Sequence, residues 1–174
     1  PVTAEATPHH LLLTDACCMT FDPNYKMSPP LRSAEDVQAV REGVADGTLD
    51  CLATDHAPHS QEEKELEFGL APFGIISLEC ALSLYIKALV ETGLMDWPEL
   101  IHRMTVAPAA VIGRDYGTLG AGEIADVTII DPKAKWTVDV EAFESRSRNC
   151  PYGGWELTGR AVTTIVDGEI RYQA

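Results

Sequence analysis

The sequence predicts a parallel α/β fold that gives way, near residues 113 to 120, to a small, mostly antiparallel β unit. Three observations predict it. Short strand-like runs alternate with helix-like runs through the first part, the grammar of a parallel sheet covered by helices. Leu49-Asp50-Cys51-Leu52-Ala53-Thr54 is the compact apolar run expected of a strand buried on both faces. Asp167-Gly168 stands between two β-prone runs, Ala161 to Val166 and Glu169 to Tyr172, as a hairpin turn.

Taken in order, Val2 to Ala6 reads as a short strand that ends in Pro8-His9-His10. Asp15 to Leu31 should be irregular, because Asp22-Pro23-Asn24 and Pro29-Pro30 fix φ and remove backbone donors. Ser33 opens a helix with an acid, Asp36, three residues on; Val37, Val40 and Val44 share its inner face, and Gly47 stops it. After the strand at 49 to 54 comes a polar loop, Ser60 to Glu67. Ile75 to Thr92 reads as an apolar helix, containing Cys80 and ended by Gly93, and Pro98 sits in the first turn of a helix running to Met104. Beyond the glycines at 113, 117, 120 and 122, Asp126 to Ile130 and Trp136 to Val138 are two further β runs. Residues 1–115 thus form the α/β part and 116–174 the β part.

A chain of 174 residues that is 45% hydrophobic can bury a sizeable core as one domain or two small ones. Its net charge of −14, with 13 scattered Lys and Arg, argues against nucleic acid and anionic membranes as partners, since neutralising phosphates needs clustered cations. No apolar run approaches the roughly 20 residues of a membrane span. Five cysteines without C-x-x-C or a regular spacing fit a reducing cytoplasm, most of them as small core residues. The chain does not begin with Met, which leaves its true start open.

In parallel α/β folds ligands bind beyond the carboxyl ends of the strands. Thr54-Asp55-His56-Ala57-Pro58-His59 is such a place, with an acid and two imidazoles directly after a buried strand. Asp55 there can give an oxygen to a divalent cation and move a proton, and His59 can donate to a carbonyl or anion; capping of the following turn is the plainer role for Asp55. Adjacent imidazoles on an extended chain point opposite ways, so at most one of His9 and His10 should face a site. Ser28 and Arg32 are set in fixed directions by the two prolines of Lys26-Met27-Ser28-Pro29-Pro30-Leu31-Arg32. Gly74, in Ala71-Pro72-Phe73-Gly74, allows close backbone approach at what should be a helix entrance. Ser77 and Glu79 then fall where a cap and a dipole partner would stand.

Six segments in this order resemble type I dihydroorotases of the amidohydrolase superfamily: TPHHLLL, NYKMSPPLR, ATDHAPH, APFGIISLE, Met104 to Pro108, and Leu119 to Asp126. The resemblance implies the last two strand-helix units of a (β/α)8 TIM-type barrel followed by part of a β-sandwich, and so a fragment inactive alone. It implies zinc, one or two ions per full-length subunit, and the reversible cyclisation of N-carbamoyl-L-aspartate to L-dihydroorotate in pyrimidine synthesis. On its motifs Asp55 is metal ligand and proton shuttle, while Ser28, His59 and the backbone of Phe73 and Gly74 bind substrate. Ser28 departs from the Asn usual in K-M-N-P-P-L-R, and S-P-P-L-R is similar to dihydropyrimidinases and hydantoinases; the second imidazole, His59, favours dihydroorotase. An allantoinase-type cyclic amidase and a silent dihydroorotase-like subunit supporting an aspartate transcarbamoylase are the alternatives, and the resemblance is compatible with a homo-oligomer or a transcarbamoylase complex.

Overall fold

The computed structural model describes residues 2–174 and contains two sheets. In the first, β1 (Glu5–Ala6) pairs in parallel with β2 (Cys51–Leu52), Glu5 opposite Cys51 and Ala6 opposite Leu52. Both strands are shorter than expected, yet the pairing runs on at either end through Asp50 N–H to Ala4 O (2.8 Å) and Ala53 N–H to Ala6 O (3.0 Å). Helices cover this pair. The short α1 (Pro8–Leu12) follows β1, and α2 (Ala34–Asp46) spans the crossover. Ser33 and Asp36 make the reciprocal capping box at its start, and Gly47 ends it at φ 87°, where a side chain would be strained.

Ser60 to Glu67 is not simply a loop. Ser60 and Glu63 form a second capping box on a single helical turn, α3 (Gln61–Lys64). The larger departure is at Ile75, where the apolar helix was expected to begin. Ile75 is instead extended and bridges His56 in parallel, and the helix α4 starts only at Ala81 (Ala81–Tyr85), with Cys80 just before it. Apolar periodicity cannot separate a buried helix from a buried crossing segment; Ile75 and Ile76 are apolar because protein surrounds them, at 0% and 1% exposure. Ser77 and Glu79 accordingly cap nothing: Ser77 Oγ donates to Thr54 O at 3.1 Å, and the Glu79 carboxylate accepts from the N–H groups of Glu144 and Ser145. α4 widens into a π turn over Ile86–Val90, closed by Glu91 N–H on Ile86 O at 2.9 Å. α5 (Trp97–Met104) and α6 (Val106–Val111) complete the helices.

The second sheet is antiparallel, in the order β3 (Val127–Thr137), β4 (Glu156–Val166), β5 (Glu169–Gln173). The two expected runs at 126–130 and 136–138 are one strand with a break in register between Asp131 and Lys135. Pro132 explains the break, since it has no N–H to give the ladder. Asp167 and Gly168 turn the hairpin with φ of 51° and 77°, both positive as a type I′ turn requires.

Two cores result. One lies between the parallel pair and the helices, with Leu11, Val44, Leu52, Tyr85, Leu89 and Leu100 at its centre. The other unites residues from both ends of the chain, packing Leu13, Met27, Ile75, Ile76 and Leu84 against Val138, Cys150, Tyr152 and Leu157. At the join Gly159, at φ 83°, has no Cβ where Ile86 presses in; a Cβ there would overlap the isoleucine side chain. Among the described residues no helix is long and apolar enough to cross a membrane.

Candidate active site

Just past β2 the chain turns sharply. Asp55 takes φ 49°, a left-handed conformation uncommon outside glycine. Its exposed carboxylate stands on the rim while the next residues fold inward. Ala57 N–H donates to Ile75 O at 2.8 Å, joining this rim to the segment that carries Phe73 and Gly74. His56 is held by its ring, with Nδ1 accepting from the backbone N–H groups of Ser77 and Leu78, both at 3.3 Å. His59 Nε2 donates to Phe73 O at 2.9 Å, and its Nδ1 lies 3.7 Å from Glu63 on α3.

Gly74 earns its identity here through a close approach, though not at a helix entrance. Its φ is 105°, and a Cβ would lie 2.7 Å from the Cβ of Ala57. Its N–H is already donated to Lys26 O at 2.9 Å, so within this loop it is a tie to the segment bearing Ser28. Lys26 binds back with Nζ on Gly69 O (3.0 Å) and Ala71 O (2.6 Å), and lies 4.7 Å from the Phe73 ring centroid. Ser28 is exposed at the tip of this loop, and Arg32 pairs only loosely with Asp36, at 3.9 Å. The structure thus draws His59, Phe73 and Gly74 into direct contact, with Ser28 and Asp55 at the ends of the loops they share.

His9 and His10 lie on the helical turn α1 and not on extended chain, so their rings do not point opposite ways: the centroids are 4.4 Å apart. His10 bridges Thr7 Oγ1 (2.8 Å) and Pro29 O (3.0 Å), bracing the proline loop. His9 is buried with neither ring nitrogen partnered among the described residues, and burial, with His10 next to it, lowers its pKa to about 3. Two residues that the sequence reading missed hold the site from behind. Lys64, at the end of α3, is buried and donates to Pro23 O (2.8 Å), Gly74 O (3.0 Å) and Pro72 O (3.1 Å); desolvation lowers its pKa. Asn149, also buried, donates to Ala57 O at 2.9 Å and Gly74 O at 3.3 Å. The Ser60-to-Glu63 capping pattern could have pointed to the helix ending on Lys64; Asn149 carries no local signal.

Among the described residues, no group of three or more His, Cys, Asp or Glu side chains is placed to hold a metal ion. A tetrahedral zinc takes three or four protein ligands. Asp55, as an exposed oxygen donor on the rim, could supply one such ligand. A cavity of about 510 Å³ lies elsewhere, between α4 and the antiparallel sheet, with Ser83, Trp136 and Arg160 among its walls. None of Ser28, Asp55, His59, Phe73 and Gly74 lines it.

Residues 4–171 match the Amidohydrolase family. The chain belongs to that family. It is 50% identical over 173 residues to a dihydroorotase of Citrifermentans bemidjiense, covering 99% of this chain and 41% of that protein. It is 53% identical over 172 residues to a dihydroorotase of Syntrophotalea carbinolica, covering 99% and 40%. In structure it is similar to an L-hydantoinase (dihydropyrimidinase) from Arthrobacter aurescens, with TM-score 0.91 and 31% identity over 99% of this chain and 39% of that one. A D-hydantoinase from Thermus sp. gives TM-score 0.89 at 26% identity, covering 99% and 40%. The chain therefore spans about two fifths of the length of these amidohydrolases, and the α/β architecture expected from the sequence is the one they share over this stretch.

Proposed function

We propose that this chain is the carboxyl-terminal part of a dihydroorotase, its parallel strands the last two of a closed (β/α)8 barrel and residues 116–174 a segment of a β-sandwich. The observation that carries the reading is identity of 50 to 53% with dihydroorotases across 99% of the chain, against 31% with the hydantoinase. The whole enzyme would close N-carbamoyl-L-aspartate to L-dihydroorotate, and reopen it, in cytoplasmic pyrimidine synthesis. Assembly with further copies, or with an aspartate transcarbamoylase, belongs to the same reading.

In the ring-opening direction Asp55 accepts a proton from the attacking water and returns it to the departing amide nitrogen. Its place on an exposed, left-handed turn beyond β2 supports that role, since the turn presents the carboxylate at the carboxyl end of the strand. Zinc, when bound with Asp55 as one ligand, supplies a water acidified to a pKa of about 7. Ser28 donates to the substrate's carbonyl or carboxylate groups, His59 does so on giving up its bond to Phe73 O, and the Phe73-Gly74 backbone lies along the ring. The test uses the full-length protein with dihydroorotate, hydantoin and allantoin. Dihydroorotate should be preferred, and Asp55→Asn should cut kcat by about 10²-fold or more. Preference for hydantoin would move the enzyme to the hydantoinases, and near-normal turnover by Asp55→Asn would end the proton-shuttle role.

A further inference from the structure

The loops that carry the proposed substrate contacts are irregular, and two buried side chains from elsewhere set their spacing. Asn149 reaches in from the segment between β3 and β4. Its amide group reaches three backbone groups: Nδ2 donates to Ala57 O at 2.9 Å and Gly74 O at 3.3 Å, and Oδ1 accepts the N–H of His59 at 3.4 Å. Its own carbonyl accepts from Ile76 N–H at 3.0 Å, which fixes its backbone to the segment that follows Gly74. Lys64 approaches from α3, spends one of its three N–H groups on Gly74 O and gives the other two to Pro23 O and Pro72 O. The Gly74 carbonyl is where the two meet.

We infer that Asn149 and Lys64 are positioning residues, which through the carbonyls of Ala57 and Gly74 fix the distance between His59 and the Phe73-Gly74 backbone for substrate binding. The inference rests on the proposed function. Three features of the geometry carry it. All but one of the groups their side chains hold, the exception being Pro23 O, belong to the site loops themselves. The gap they span leaves no room for a side chain of its own, since a Cβ on Gly74 would collide with Ala57. And a buried ammonium and a buried amide are costly choices for mere packing, because each must be desolvated and then fully satisfied, where an apolar residue would fill the space without that requirement. The reward for the cost is directional: an amide with two donors and one acceptor can set both sides of the gap at once, which neither Asp nor Leu can do.

The test measures steady-state kinetics on dihydroorotate for the full-length protein, with thermal melting alongside. Asn149→Ala and Lys64→Met should each raise KM about tenfold or more with kcat within about threefold, as expected when binding geometry slips while the reacting groups stay in place. Lys64→Arg, which can still reach carbonyls, should recover part of the lost KM. An unaltered protein with no turnover of dihydroorotate would overturn the proposed function, and this inference with it. Active protein whose variants keep a normal KM would overturn the inference alone, as would kcat, KM and melting temperature failing together, or variants that never fold, since the pair would then be structural only.

Discussion

The loops around Asp55 and the antiparallel sheet are held by opposite means. In the loops a row of backbone carbonyls is taken up by side chains: Ala53 O by Tyr85, Thr54 O by Ser77, Ala57 O by Asn149, Ala71 O by Lys26, Pro72 O by Lys64, Phe73 O by His59. In the sheet the backbone mostly satisfies itself, β4 pairing with β3 on one side and β5 on the other while Ser83 Oγ donates to Gly159 O, and every residue of β5 is exposed. Irregular backbone that is buried must find partners outside its own ladder. The site's shape therefore depends on single side chains contributed by distant segments, and the sheet's shape chiefly on its own ladder.

If that contrast is right, the largest response should come where loop meets loop. Gly74→Ala, which forces a Cβ to 2.7 Å from that of Ala57 at φ 105°, should destabilise the full-length protein by roughly 2–4 kcal/mol in a denaturant titration; a change below about 0.5 kcal/mol would remove the close approach from the account. The next largest lies beneath the proline loop. His9 titrates near 3 in the folded chain against 6.5 ordinarily, so between those values the unfolded chain holds a proton that the folded chain does not. Stability is then complete above pH 6.5 and falls by about 1.4 kcal/mol per unit as the pH drops toward 3. Denaturation midpoints taken from pH 7 to 4 should show this slope, and His9→Leu should flatten it; equal slopes for both proteins would mean His9 is not the group responsible. The smallest effect belongs to the sheet. Glu169 and Arg171 form a 2.8 Å ion pair with both side chains more than half exposed, and Arg171→Ala should shift stability by less than about 0.5 kcal/mol. A loss of several times that would mean the sheet, too, leans on individual side chains.

The same contrast decides what could be read from the sequence. Local signals translated directly: the Ser33–Asp36 capping box, Gly47 as a stop, Pro98 in a first helical turn and the Asp167-Gly168 hairpin all involve residues within a few positions of each other. The apolar run from Ile75 misled because its hydrophobicity reflects what packs on it, chiefly residues 138 to 157, and not its own periodicity. For the site, the cluster after β2 was legible as polar residues following a buried strand, and Gly74 as a point of close backbone approach. Asn149 was not, lying 92 positions from Ala57 in a polar stretch with nothing to distinguish it, and Lys64 was hidden in a run of charges that reads as solvated surface.

His56 shows why counting imidazoles near a carboxylate overstates what a site can bind. Both groups that reach its Nδ1, the N–H of Ser77 and of Leu78, are donors. A ring nitrogen that accepts carries no hydrogen, so the neutral ring keeps its hydrogen on Nε2. In that tautomer neither nitrogen has a lone pair to spare: one is shared with the backbone and the other is protonated. Two amides of the main chain thus occupy Nδ1 of the residue beside Asp55, and the ring can meet anything beyond the rim only through Nε2.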